Sequence, residues 1–212
     1  MCDDIELLRE HLGIVSWDVF GHSFGSKYAL NYILHYPQSI KKVILSAAPA
    51  AGGMFDSSFQ DFKNPKPENL TNLEIELYHE IKAEESKQNP DNERLYRLSA
   101  AMRARYYVAK PENYSKLAHW WLYQSKPTVP PSKLYLSSNN KSVKNLLKNL
   151  GRFQNEVLII HGLSDFIDVS NPLKNHKIFP NSQLKFLKEA GHTMSIDSKE
   201  EYFGIINEFL DY

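Results

Sequence analysis

Three side chains of the 212-residue sequence have the types that together make an activated alcohol: Ser23, Asp165 and His192, in that chain order. A serine hydroxyl is a poor nucleophile until a neighbouring imidazole takes its proton. The imidazole in turn needs a carboxylate to fix its tautomer and stabilise the imidazolium. Each of the three follows a stretch that reads as a strand, and in an open parallel sheet ligands gather beyond the carboxyl ends of the strands.

The serine stands in Val19-Phe20-Gly21-His22-Ser23-Phe24-Gly25-Ser26, an apolar run that ends in a glycine-serine-glycine turn. This reads as a nucleophile elbow, a tight strand-to-helix turn on which the hydroxyl stands clear of the backbone. Gly21 and Gly25 are expected to remove side chains that would collide across the turn. Ser16 to Phe20 supplies the strand, and Lys27 to His35, stopped by Pro37, supplies the helix. The helix N-terminus then points at the turn, so the Phe24 amide N–H and the positive end of the dipole face charge developing on a substrate oxygen. That is half of an oxyanion hole. A Walker-type phosphate loop would need lysine directly after its last glycine, but Ser26 precedes Lys27 here, and GxGxxG is missing.

Asp165 and Asp168 share the turn Leu163-Ser164-Asp165-Phe166-Ile167-Asp168, and either can reach the histidine; Asp165 is preferred because it comes soonest after Gly162. His192 follows Ala190-Gly191. His161, at the end of a buried strand, reads as structural. His22 flanks the nucleophile and shapes the pocket without transferring protons. The remaining histidines, His11, His35, His79, His119 and His176, fall in helical contexts at no metal-ligand spacing, so neither metal nor cofactor is implied.

Several elements must position these groups. Asp3 or Asp4 can cap a first helix carrying Ile5, Leu7, Leu8 and Leu12, with Gly13 placed to end it. The runs Lys42 to Ala47 and Val157 to Gly162 are continuously apolar, as parallel strands buried on both faces require. Gln183 to Leu187 alternates like a half-exposed last strand. Helices are expected at Asn171 to Phe179 and Ser198 to Leu210. From Met54 to Leu150 the chain becomes charged and tyrosine-rich, punctuated by Pro65, Pro67, Pro90, Pro111, Pro127, Pro130 and Pro131. Helices are expected there at Thr71–Lys87, Asp91–Val108, Asn113–Gln124 and Lys141–Leu150. Trp120, Trp121, Tyr106 and Tyr107 are read as the core of these helices rather than the lining of a pocket.

The fold class is therefore α/β, a mostly parallel sheet interrupted by a helical insertion. Residues 1–53 and 151–212 form the core, and 54–150 form the helical cap. Lysine plus arginine and aspartate plus glutamate both number 25, so no charge imbalance favours nucleic acid or an anionic membrane. Cys2 is the single cysteine, which excludes an internal disulfide. With no basic-then-apolar leader and no membrane-length apolar run, a cytoplasmic protein is expected.

Asp4-Ile5-Glu6-Leu7-Leu8-Arg9-Glu10-His11-Leu12-Gly13-Ile14, Trp17 and Gly21-His22-Ser23-Phe24-Gly25-Ser26 together resemble α/β-hydrolases of the prolyl iminopeptidase type, serine peptidases that release N-terminal proline. Ile160-His161-Gly162-Leu163-Ser164-Asp165 is similar to the acid turn of that superfamily, and Ala190-Gly191-His192 to its histidine loop. The resemblance implies Ser23 as nucleophile, Asp165 as orienting acid and His192 as base. For an iminopeptidase, carboxylates of the cap should hold the free amine of the substrate. Glu74, Glu76, Glu80, Glu84 and Glu85 are available but read as a solvated helix face. A carboxylesterase of small esters would need no such anchor.

The sequence departs from the family at two points. His22 stands where the family elbow commonly has glycine. The family also has several strands, and a glycine-rich loop carrying the second oxyanion donor, before the point where Met1 stands. The elbow strand is accordingly expected at a sheet edge, in a domain shortened at its N-terminus. A non-catalytic remnant, or a subunit pairing through that edge, is the alternative to an enzyme.

Overall fold

A computed structural model describes residues 2–52, 71–123 and 140–211. Its centre is a four-stranded, wholly parallel sheet of β1 (Trp17–His22), β2 (Ile40–Ser46), β3 (Val157–Gly162) and β4 (Ser182–Leu187), in the spatial order β1-β2-β3-β4. The helices are α1 (Cys2–His11), α2 (Gly25–His35), α3 (Asn72–Glu85), α4 (Asn92–Arg103), α5 (Pro111–Leu122), α6 (Asn140–Leu150), α7 (Ser170–Ile178), α8 (Met194–Asp197) and α9 (Lys199–Leu210). Most of these bounds fall within two or three residues of those expected; α8 was not expected. Expectations resting on Pro65, Pro67, Pro127, Pro130, Pro131 and Gln124, and the boundary near Met54, lie outside the described residues.

Side-chain alternation on the strands divides the core in two. Val43, Leu45, Val157 and Ile159 point one way, against Ala29, Leu30, Tyr32 and Ile33 of α2 and Leu150 of α6. Ile44, Leu158 and Ile160 point the other way, against Tyr202, Ile206 and Phe209 of α9. β3 is buried along its whole length, which is why Val157 to Ile160 read as an unbroken apolar run. β4, at one edge, alternates instead.

Helices α3, α4 and α5 close on an apolar cluster of their own, formed by Leu77, Ile81, Leu98, Ala101, Ala104, Tyr114, Leu117 and neighbours. Both of the first two helices start on built caps. Thr71 and Glu74 make a reciprocal capping box, and the Asp91 side chain accepts from the N–H groups of Glu93 and Arg94. Two acidic residues of α3 correct the solvated-face reading. Glu74 is buried, with Oε2 on Thr71 and Oε1 paired to Arg105 at 3.0 Å. Glu84 is buried against Lys87 at 2.8 Å and the Asp91 N–H at 3.0 Å. Glu76, Glu80 and Glu85 are exposed, as expected.

The N-terminal helix is pinned through a single carboxylate. Glu6 is buried and accepts from Arg9 of its own helix, from the Tyr32 hydroxyl of α2 and from Ser39 Oγ at 2.8 Å. These donors, Arg9 foremost, hold the Glu6 pKa down to about 2. Among the described residues β1 has a strand neighbour on one side only. Leu7, Leu8, Leu12, Val15 and Phe20 are exposed, Val15 at 88 %. A shallow groove against β1 and α2 is lined by Trp17, Val19, Phe20, Gly25, Tyr28 and Tyr32 among others. The edge position of the elbow strand agrees with the expectation from sequence.

Candidate active site

Ser23 follows β1 directly and has a φ of 51°, a left-handed conformation that L-residues other than asparagine and aspartate rarely adopt. Hydrogen bonds on both sides hold it there. Its N–H donates to the Ser46 carbonyl at 2.8 Å, and its own carbonyl accepts from Ser26 N at 3.1 Å and Ser26 Oγ at 2.5 Å. Gly21 is required by closeness: a Cβ there would lie 2.6 Å from Ser26 Cα. Gly25 is not, because a Cβ there would meet nothing within 4 Å among the described residues. Gly25 is the first residue of α2 and borders the groove beside Phe20, so the expected collision across the turn applies to Gly21 alone.

The acid comes from the turn after β3. Gly162 has no room for a side chain, since a Cβ would lie 2.3 Å from the Ala190 carbonyl oxygen, and this close approach lays the acid turn against the histidine loop. Asp165 N–H donates back to Gly162 O at 3.1 Å, and Asp165 Oδ1 accepts the Ile167 N–H at 2.8 Å. His192 is buried, and its Nδ1 lies 2.9 Å from Oδ1 and 3.0 Å from Oδ2 of Asp165. With Nδ1 donating to the carboxylate, Nε2 is the basic nitrogen. Asp168 serves elsewhere, accepting the Ser170 N–H at 2.8 Å at the head of α7. Of the two candidate carboxylates, the geometry brings Asp165 to the histidine.

The elbow and the His192–Asp165 pair meet at one end of the sheet. The His22 ring, one residue before the nucleophile, lies 5.0 Å from the His192 ring between centroids. His22 Nδ1 is 3.1 Å from Ser46 Oγ, which is 2.9 Å from the Tyr202 hydroxyl. Burial, reinforced by the charge of His192, pushes the His22 pKa down to about 4, so this ring is neutral at pH 7. The Phe166 ring lies 4.4 Å from His192, and Tyr107 meets it edge-on at 5.1 Å.

Tyr107 corrects the reading of the aromatic residues as cap core alone. It packs on Trp121 at 4.6 Å, inside the helical layer, and also on His192 and Phe166. Trp120, by contrast, is exposed. Sequence reasoning also missed Ala47, which follows β2 with a φ of 46°, and Asp197, whose carboxylate accepts from Gly191 N at 2.9 Å and Ala109 N at 2.7 Å. Nothing in their spacing signals either feature. Among the described residues no group of three histidine, cysteine or acidic side chains is placed to hold a metal ion, and no helix is long and apolar enough to cross a membrane.

A four-stranded parallel sheet with helices on both faces, an elbow serine and an acid–histidine pair beyond its carboxyl edge define a hydrolase architecture. The chain belongs to the alpha/beta hydrolase fold family, whose profile matches residues 1–199. It is similar to a proline iminopeptidase of Arabidopsis thaliana, 25% identical over 91% of this chain and 55% of the relative. It is also similar to one of Neisseria meningitidis, 27% identical over 89% of this chain and 64% of the relative. The chain thus spans between half and two thirds of the length of these curated relatives. Among solved structures it resembles an alpha/beta fold family hydrolase from Bacillus anthracis, at 21% identity and a TM-score of 0.68, covering 98% of this chain and 72% of that one. An esterase from Exiguobacterium antarcticum matches at 18% identity and a TM-score of 0.62, covering 100% and 73%.

Proposed function

We propose that this chain carries the catalytic groups of a serine hydrolase acting on peptide-like substrates, releasing an N-terminal proline as the names of its relatives suggest. The reading rests on one observation: the buried His192–Asp165 pair lies at the end of the sheet where the strained Ser23 turn stands, the ring of His22, Ser23's chain neighbour, 5.0 Å from that of His192. In the reaction His192 Nε2 takes the Ser23 hydroxyl proton as the oxygen attacks the substrate carbonyl. The Phe24 N–H, at the head of α2, is one donor to the resulting oxyanion. Collapse expels the amine, which takes the proton from His192 and leaves an acyl-enzyme. Water, deprotonated by the same imidazole, then releases the acid and restores Ser23. Asp165 holds the tautomer throughout.

The test is stoichiometric labelling by a serine-reactive phosphonate, with Ser23→Ala as the control. Loss of labelling supports the assignment, and labelling undiminished by the substitution rejects Ser23 as nucleophile. Turnover of a prolyl reporter compared with short acyl esters then separates peptidase from esterase. Hydrolysis of esters alone rejects the peptidase reading. The esterase alternative draws support from α3, where Glu74 and Glu84, the two buried carboxylates, are already engaged by Arg105 and Lys87 rather than left for a substrate amine.

The open side of β1 favours a second reading, in which the chain works joined to further polypeptide along that edge. Size in solution tests it: a monodisperse monomer that labels fully at Ser23 counts against a requirement for such a partner.

A further inference from the structure

His161, near the end of β3, is fully buried, yet among the described residues only one of its ring nitrogens has a hydrogen-bond partner. Nε2 lies 2.8 Å from the Ile167 carbonyl oxygen, so Nε2 carries the proton and donates it there. Nδ1 is left as a bare lone pair, without a hydrogen-bond partner and 3.9 Å from Asp165 Oδ2. The same carboxylate receives Nδ1 of His192 at 2.9 and 3.0 Å. One buried acid therefore stands between two imidazoles. The Ile167 residue that anchors His161 through its carbonyl also donates its own N–H to Asp165 Oδ1 at 2.8 Å. Unsatisfied nitrogens in a dry interior are costly, so a bare one beside a carboxylate calls for an explanation.

We infer that His161 is a positioning residue for Asp165, clamping the acid turn through Ile167 and holding an empty second proton seat against the carboxylate that serves His192. The inference rests on the roles proposed above for Asp165 and His192. While Nδ1 is bare, its lone pair repels Oδ2 and leaves the carboxylate to His192. Once Nδ1 gains a proton, the imidazolium attracts Oδ2, and a single carboxylate must serve two cations. Among the described residues the ionisable groups that act on His161 are Asp165, His192 and Asp168, while Phe186 of β4 packs edge-on at 6.4 Å and brings no charge. Burial pushes the His161 pKa down against the opposing pull of Asp165, so the second seat fills on the acid side of neutrality.

The experiment follows the nitrogen-labelled imidazole rings by two-dimensional NMR across an acid titration of the wild-type chain, His161→Gln and Asp165→Asn. Glutamine keeps an N–H for the Ile167 carbonyl and cannot titrate. A change in the His192 ring signal that coincides with the titration of His161 is expected in the wild type and is expected to be absent in His161→Gln. In Asp165→Asn the His161 titration is expected at still lower pH, because the carboxylate that favours its cation is gone. Absence of that coincident change in the wild type overturns the inference, as does the same change surviving in His161→Gln. An unmoved His161 titration in Asp165→Asn overturns it independently, should the glutamine variant fail to fold. Where turnover is measurable, the acid limb of log kcat/KM against pH should have a limiting slope of about two in the wild type and about one in His161→Gln. Absence of phosphonate labelling at Ser23 with the ring titrations as expected would reject the hydrolase reading while leaving the two-imidazole arrangement standing.

Discussion

Thr193 grips the main-chain carbonyl of Tyr107 twice, with its N–H at 2.7 Å and its hydroxyl at 2.5 Å. The contact joins the residue after the base to the helical layer above the sheet. Asp197 doubles the joint: Oδ2 accepts from Gly191 N and Ala109 N, and Oδ1 accepts from Asn113 Nδ2 at 2.9 Å. Truncating this buried carboxylate leaves backbone donors of both segments unpaired. Asp197→Ala should therefore destabilise the fold by roughly 2–6 kcal/mol, about 1–3 for each of the two backbone donors left unpaired. It should also slow phosphonate labelling at temperatures where the protein is fully folded. Denaturant titration and labelling rates check the two halves, and unchanged labelling would show that the joint does not position His192.

The two aspartates of the acid turn separate cleanly. Asp165→Asn removes the charge facing His192 Nδ1 and can present an N–H where an acceptor is needed, so turnover should fall by about four orders of magnitude, as when a triad acid is made an amide. Asp168→Asn should cost far less, because Asp168 accepts from Ser170 N and does not reach His192. A larger loss at 168 than at 165, read from kcat, would reverse the assignment.

The elbow makes opposite predictions for its neighbouring glycines. Gly21→Ala places a methyl 2.6 Å from the Ser26 backbone and should destabilise by about 1–3 kcal/mol, a typical cost of overpacking. Gly25→Ala meets open space and replaces glycine in a helix, so stability should hold or rise by up to about 1 kcal/mol. Thermal denaturation of both variants decides, and equal losses would contradict the geometry.

The Glu6 cluster should make the N-terminal helix acid-sensitive. The folded-state pKa of Glu6 is depressed to about 2 from an ordinary 4.5, so its contribution to stability is fully present above about 4.5 and is lost as pH falls toward 2. In Glu6→Gln the wild-type loss of stability across that window should shrink. Urea midpoints measured between pH 5 and pH 2.5 test this, and parallel curves for the two proteins would refute it.

Local signals carried most of the architecture. β3 was legible because both its faces are buried and Val157 to Ile160 are all apolar. The elbow was legible because a glycine–serine turn between a strand and a helix has few other uses. The acid was narrowed to two residues by position, and only the fold chose Asp165, since the choice depends on which carboxylate the Gly162–Ala190 approach delivers to His192. Tyr107, Asp197 and α8 stayed hidden because their roles lie in contacts between segments some 80 residues apart, which no local pattern encodes. Gly25 misled for the opposite reason: a familiar motif invited a steric explanation that the space around it does not support.

The separate apolar interior of α3, α4 and α5 bears on how such a chain can diverge. Those helices can be rewritten residue by residue while the sheet beneath keeps its own packing. The latitude ends at Tyr107, Ala109 and Asn113, where the upper layer is bolted to the histidine loop. Sequence drift would leave its record across α3, α4 and α5 but not along this seam.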